Sequence, residues 1–438
     1  MSDAPGDPSG PLAVLPSYQP TAGPRTGAPV ESVWRMAPTQ GLEPASVAAF
    51  LLHILPSPRS LFRGVSRIAP PLPRVHRESM PLSSDEEEDE SRARALLAAC
   101  SDAVGARVGS GAREVSLSGG VDSAVLCMLA ARHAEGRVRA WSMDVHFADE
   151  VERRNARTVA RLAGAERVDV PIPDALLPDL FEPAVLANES AILNARAVAS
   201  FAFYAEAKRL GASVMLSGAG ADEVLMGNPE ARDSALARIE EDRRLARTVL
   251  RSAVDNLGRT PDGPWSQEDG PEVSDEARYA AWVLRELVLP PELRGARAHG
   301  LTVHTPYLDS RFADAALALP ESSLSRDGVG KWLFRYAVRG LVPDEVRLAR
   351  KTPRYGHTAL SSPVRARWLE LYRAWLSASR LEPLEVIDPK AVLTLLERYT
   401  RMEPEAPEAG GVDRLLMRLC SLAMLHAHAV HGSPCPES

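Results

Sequence analysis

Twice in this chain a short β-prone run ends in a glycine-rich turn that opens a helix. Glu114-Val115-Ser116-Leu117 leads into Ser118-Gly119-Gly120-Val121-Asp122-Ser123, and Ser213 to Leu216 leads into Ser217-Gly218-Ala219-Gly220-Ala221-Asp222-Glu223. Around these junctions, Val138–Val145 and Arg167–Val170 read as further strands. Ala124–Arg132, Glu150–Leu162 and Ala195–Leu210 read as helices. Strands alternating with helices of about ten residues or more predict βαβ units, hence an α/β fold with a parallel sheet flanked by helices. From about residue 228 onward the pattern is helical, with Pro and Gly in the connections, which predicts a C-terminal helical part.

Residues 1–40 are rich in Pro, Gly, Ser and Thr with little periodicity, so they are expected to be disordered, having too little apolar area to offset the entropy of ordering. Within 41–80, Ser46–Leu52 reads as a short helix and Ser60–Val65 as a turn into a strand. Residues 81–90 read as an acidic linker ahead of a helix over Ser91–Val108, where negative charge suits the positive helix start. The main folded unit is expected over 91–432. The stretch Asn228–Arg278 reads as a helical insertion whose Pro261–Pro271 portion looks like a flexible loop.

A net charge of −7 argues against a protein that coats nucleic acid or an anionic membrane. The four cysteines, Cys100, Cys127, Cys420 and Cys435, form no C-x-x-C pair, so neither a disulfide framework nor a structural zinc site is expected. Met1 to Gly10 lacks the pattern of a secretory signal, and no stretch reaches the roughly 18–20 apolar residues of a spanning helix. The expected location is the cytoplasm.

A sharp Gly-Gly turn between strand and helix lets an anion reach the unpaired N–H groups at the helix start and the positive end of its dipole. In Ser118–Ser123, Gly119 and Gly120 allow close backbone approach, Ser118 and Ser123 add hydroxyls, and Asp122 can hold a hard cation. The turn lacks the G-x-x-x-x-G-K-[ST] of a P-loop. The second junction, a further strand end, belongs at the same edge of the sheet, where ligands of open α/β sheets bind. Asp222 would then face Asp122 across the crevice.

The hexapeptide resembles the pyrophosphate loop of the ATP pyrophosphatase (PP-loop, adenine nucleotide α-hydrolase-like) superfamily, which also includes GMP and NAD synthetases. Three further segments resemble the synthetase domain of asparagine synthetases. They are Leu216–Glu223; His304-Thr305-Pro306-Tyr307-Leu308-Asp309-Ser310-Arg311, similar to V-P-F-L-D-x-R; and Lys331-Trp332-Leu333-Phe334-Arg335 with Leu341–Val346 and Arg350-Lys351, similar to K-x-x-L-R … L-P-x-x-[IV] … R-x-K. The resemblance covers roughly residues 90–430. It implies ATP and Mg²⁺ as cofactors, release of pyrophosphate and AMP, and a small-molecule carboxylate substrate, aspartate by family likeness. It also implies nucleotide contacts from Ser118, Gly119, Gly120, Val121, Asp122, Ser123, Ser217 and Gly218, with Asp122 and Asp222 holding the metal and Lys351 as the catalytic lysine. Leu117 and Met143, at strand ends, are candidates for adenine contact or plain core; Asp144 stands where relatives usually have Gly. Asp309 and Arg311 are expected to brace the site from beneath.

The chain also departs from the pattern. Glutamine-using relatives carry a Cys nucleophile after Met1 removal and a glutaminase domain; this chain has Ser2. Residues 41–80, with Leu61–Val65 and Ile68–Pro71, resemble the segment that joins glutaminase to synthetase. The resemblance then implies ammonia, a separate glutaminase or a substrate amine as the nitrogen source. Where asparagine synthetases have Glu in the second loop, and lactam-forming relatives Tyr, this chain has Ala219. Thr302 and His304 replace the family's E-x-R, and His304 reads as a substitute base or as a packed or solvent-facing residue. Three readings stay open: an asparagine-forming ligase, a specialised amide or lactam ligase, and a non-catalytic nucleotide-binding homologue.

Overall fold

A computed structural model of the chain describes residues 15–21, 29–36, 40–55, 59–68, 86–134, 137–227, 231–251, 263–267, 275–349 and 358–431. Its centre is a parallel sheet of β3 (Glu114–Ser116), β4 (Arg139–Asp144), β5 (Glu166–Pro171), β6 (Val214–Leu216) and β7 (Thr302–His304), in the spatial order β5-β4-β3-β6-β7. It is preceded by β1 (Ser17–Pro20), α1 (Pro44–Leu51), β2 (Val65–Ile68) and α2 (Glu86–Gly109). The helices α3 (Val121–His133), α4 (Glu150–Ala163), α5 (Leu177–Asn188), α6 (Ala195–Arg209) and α7 (Ala221–Val224) connect or follow its first four strands. Then come α8 (Ala231–Arg247), α9 (Asp275–Val283) and α10 (Gly295–Arg297) before β7.

After β7 the chain is almost wholly helical: α11 (Ser310–Leu317), α12 (Glu321–Leu324), a small hairpin of β8 (Ser325–Arg326) and β9 (Val329–Gly330), then α13 (Trp332–Ala337) and α14 (Asp344–Arg347). The last four helices are α15 (Arg365–Trp375), α16 (Ala378–Leu381), α17 (Pro389–Thr400) and α18 (Ala409–His431).

Side chains alternate across the sheet, as the two-residue period of a strand requires. Trp141 and Met215 enter one apolar core with residues of α5, α6 and α18, while Val115, Ala140 and Leu216 enter another with residues of α2, α3, α11 and α13. Both faces are therefore covered, as parallel sheets require. From β3 the chain builds outward through β4 and β5, then returns with β6 on the other side of β3. That reversal puts the topological switch point between β3 and β6, where such sheets open a ligand crevice beyond their C-terminal ends. The two glycine-rich turns follow those two strands.

Several local expectations need correction. Within the 1–40 segment expected to be disordered, β1 pairs antiparallel with β2, and Tyr18 and Val33 are buried. A few apolar residues with a partner strand suffice to place 15–21 and 29–36 against the fold. The acidic run is not a linker from Glu86 onward but the first turn of α2, where Asp89 is buried and paired with Arg326 at 2.9 Å. Glu90 there accepts hydrogen bonds from Tyr336 and Arg339. Within Pro261–Pro271, Pro264–Gln267 is a helical turn with Trp265 buried against Tyr279 and Trp282; the rest of that stretch, apart from Gly263, lies outside the described residues. Thr302–His304, expected only as part of a motif, is a strand of the main sheet. No described helix is long and apolar enough to cross a membrane.

Candidate active site

The first turn is built on a glycine that admits no substitute. Gly119 has φ +86°, and a Cβ there would lie 1.9 Å from the backbone oxygen of Glu152 at the start of α4. The turn is thus pressed onto α4 and held in a left-handed conformation that L side chains avoid. Ser123 closes it from inside. Its hydroxyl donates to the Gly120 carbonyl at 3.1 Å, accepts the Ser118 N–H at 3.1 Å and meets the Ser118 hydroxyl at 3.1 Å. Gly120 caps α3 without any side-chain hydrogen bond. Gly120 brings no side-chain oxygen to the start of this 13-residue helix, and its own N–H donates to the Ser118 hydroxyl at 3.4 Å, so the N–H groups of the first turn beyond it suit an anion. Tyr307, fully buried, donates to the Asp122 carbonyl at 2.8 Å and fixes the first turn of α3 from below.

The second turn packs as tightly. Gly220 has φ +89°, and a Cβ there would sit 2.3 Å from Leu308 Cδ2. A Cβ on Gly218 would come within 3.4 Å of Asp122 Cβ, so the two loops touch across the switch point. A Cβ on Gly227 would meet Asp222 Oδ1 at 2.0 Å and Lys331 Cε at 2.7 Å. Glycine at these positions lets three separate segments converge on one point.

That point is the ammonium group of Lys331. Its Nζ lies 2.6 Å from Asp122 Oδ2 and 2.7 Å from Asp222 Oδ1. The lysine is 3% exposed and has φ +59° at the start of α13. Burial pulls its pKa down, but the attraction of Asp122 and Asp222 outweighs that and leaves it above the ordinary lysine value. Asp122 Oδ1 is buried and finds no hydrogen-bond partner among the described residues. A carboxylate oxygen left so is an acceptor suited to a cation, so the donor set fits Mg²⁺. Among the described residues no group of three or more His, Cys, Asp or Glu forms a self-sufficient metal cage.

Arg335, one turn beyond Lys331, extends the arrangement. Its guanidinium donates to the carbonyls of Gly330, Arg347 and Ala349, the last at 3.2 Å. Burial lowers its pKa, against the pull of Asp122 and Asp222. It so holds the backbone of Arg347 and Ala349 against Gly330 at the start of α13. Lys351 itself lies outside the described residues.

Of the other expected site residues, Leu117 is buried in the core, and its carbonyl accepts from the Ser142 hydroxyl at 2.9 Å. Met143 is partly buried against the opposite core. Val121 is buried at the start of α3. Ser217 is buried directly after β6, and its N–H donates to the His304 carbonyl at 2.8 Å. Asp144 pairs with Arg153 at 2.7 Å. Asp309 caps α11 and forms a buried ion pair with Arg107 of α2 at 3.0 Å, while Arg311 is half exposed beside it. In the sequence Lys331 stands only as part of a matched motif, with no role of its own. Its clue is position: a lysine three residues after the Asp327-Gly328 hairpin turn, in a segment that also supplies Arg335.

The asparagine synthase family model matches residues 95–427, from α2 to α18, and so takes in both glycine turns, Lys331 and the segment of Lys351. No curated protein matches the chain. The sheet, the two loops at its switch point and the matched span give one conclusion: the chain belongs to the asparagine synthase family, a family of ATP-dependent amide ligases.

Proposed function

We propose that the chain activates a carboxylate with ATP, forming an acyl-AMP and releasing pyrophosphate, and that a nitrogen nucleophile then displaces AMP to give an amide. The observation that carries this reading is the meeting of Asp122 and Asp222 on Lys331 beside an uncapped helix start. The N–H groups in the first turn of α3 would receive the phosphates. Asp122 and Asp222 would hold Mg²⁺, which supplies charge neutralisation on the phosphate oxygens when bound. Lys331, already charged and fixed, would offset the charge growing on the leaving pyrophosphate. Lys351 would act at the α-phosphate and the acyl carbonyl. Ser217 and Gly218 would border the nucleotide, and Leu117 and Met143 the adenine end. Aspartate is the first candidate carboxylate, and free ammonia or a separate glutaminase the first candidate nitrogen source.

A specialised amide or lactam product is favoured by one observation. Ala219 removes the carboxylate or phenol that relatives present to the acceptor. The test is exchange of labelled pyrophosphate into ATP with each of the twenty standard amino acids as carboxylate. Exchange that depends on one of them and disappears in Asp122→Ala and Lys351→Ala supports the reading. Absence of exchange with all of them, despite ATP binding, overturns it in favour of a nucleotide-binding homologue.

A further inference from the structure

The nitrogen nucleophile meets the acyl-AMP only after losing a proton, and Ala219 cannot take it. One carboxylate lies close by. Glu292 Oε2 accepts the Ser217 hydroxyl at 3.2 Å, and the same hydroxyl oxygen accepts the Ala219 N–H at 3.3 Å. Glu292 is therefore one hydroxyl away from the backbone of Ala219, on the second nucleotide loop. The Tyr204 hydroxyl donates to the same carboxylate oxygen. Tyr204 is 2% exposed, and its phenol is raised well above the ordinary tyrosine value by burial and by the charge of Glu292, so it stays a donor at neutral pH. Two fixed donors on one oxygen orient the carboxylate.

The backbone beneath Glu292 is unusual. The helical run between α9 and α10 is wound with i→i+5 bonding over Leu284–Val288 and again over Pro290–Arg294. Pro290 and Pro291 lack the N–H groups that α-helical bonding needs, and wide turns of this kind recur at functional sites. Two residues on, Arg294 is buried and fixed by Glu189 at 3.0 Å, by the Asn188 carbonyl and by the Tyr18 hydroxyl. The wide turn thus stands on a rigid base and presents Glu292 to the loop.

We propose that Glu292, oriented by Tyr204 and Ser217, receives the incoming amine and takes its proton, in place of the group lost at position 219. This rests on the ligase reading above. One proton passes from the ammonium nitrogen to the Glu292 carboxylate, and the freed lone pair forms the C–N bond at the acyl carbonyl. The bond from that carbon to the phosphate oxygen breaks, its electron pair leaves with AMP, and the surplus proton on nitrogen goes to water.

The test separates the two half-reactions in wild type, Glu292→Gln, Tyr204→Phe and the double variant Glu292→Gln/Ala219→Glu. The carboxylate is the amino acid that gives the strongest pyrophosphate exchange, and the amines are ammonium chloride and hydroxylamine, the latter neutral at pH 7. In E292Q, exchange should stay within about twofold of wild type while kcat/KM for ammonium falls about 100-fold. Trapping by hydroxylamine should fall far less, and Ala219→Glu should restore ammonium use. Unchanged ammonium use in E292Q overturns this inference alone. Equal loss of exchange and ammonium use in folded E292Q also overturns it, because Glu292 would then serve the loop rather than the amine. Absence of exchange in wild type overturns the ligase reading, and this inference with it.

Discussion

Lys331→Met tests the convergence of the two loops directly. The ammonium lies 2.6 Å and 2.7 Å from two carboxylates and is itself 3% exposed, so its removal takes away the cation that Asp122 and Asp222 share. Removing one partner of a fully buried ion pair costs about 3–5 kcal/mol. Here the Asp122 and Asp222 side chains keep 22% and 32% of their exposure, so water offsets part of that and about 2–3 kcal/mol is expected. At roughly 2–4 °C per kcal/mol for a domain of this kind, the melting midpoint should fall by about 5–10 °C. The pH dependence has a definite sign. A lysine whose folded pKa is raised contributes stability that is complete below its unfolded value of about 10.4 and is lost as pH rises through the folded value. The gap between wild type and variant should thus be flat from pH 6 to pH 9. Millimolar Mg²⁺ should raise the midpoint of Lys331→Met more than that of wild type, because the cation replaces the missing charge. The assay is thermal unfolding followed by circular dichroism, with and without Mg²⁺. A variant that melts within about 1 °C of wild type at pH 7.5, or a gap that closes steadily between pH 6 and pH 9, would refute the reasoning.

Three other outcomes follow from the geometry. Gly119→Ala meets the Glu152 carbonyl at 1.9 Å and holds φ +86°, so strain on the order of 1–3 kcal/mol should fall on the phosphate turn. ATP affinity by calorimetry should drop about tenfold or more with the far-ultraviolet spectrum unchanged; unaltered affinity would show that the turn does not bind phosphate. Arg294→Met leaves Glu189, whose side chain is 4% exposed, buried without its cation, and should cost about 3–5 kcal/mol in urea unfolding. Burial lifts the Asp413 carboxyl to about 6, although Tyr372, Tyr399 and the Ala359 N–H all donate to it. Its contribution is complete below about pH 4 and lost as pH rises through 6, so wild type should lose about 2–3 kcal/mol from this group between pH 4 and pH 7. Asp413→Asn should not share that loss; parallel stability curves would count against it.

The sheet was legible because its strands announce themselves locally. β3 and β6 each run into a glycine-rich turn, and each of α3, α4 and α6 follows with helical spacing. β7 escaped notice because Thr302-Val303-His304 runs into no glycine-rich turn, so its strand character comes from pairing with β6. Tyr18 and Val33 were hidden in a Pro- and Gly-rich stretch whose order depends on β2 and on Arg294, far along the chain. At the site, the glycine turns and both aspartates could be read from residue types. The partnership of Lys331 with them could not, since it joins residues 109 and 209 positions apart. Glu292 was equally silent, because nothing in Pro-Pro-Glu-Leu-Arg signals a contact with Ser217.

The two wide helical turns ahead of β7 also bear on how this family member could change. Each closes its ring with one residue more than an α-helical turn does. Loss of a single residue between Leu284 and Arg294 would let the run relax into ordinary winding and rotate whatever side chain follows by about a quarter of a turn or more. Such a shift would turn Glu292 away from the second loop while leaving Asp122, Asp222 and Lys331 where they are. The wide-turn side of the crevice is thus open to revision by insertion and deletion, in a way that the cluster of Asp122, Asp222 and Lys331, locked by close-packed glycines, is not.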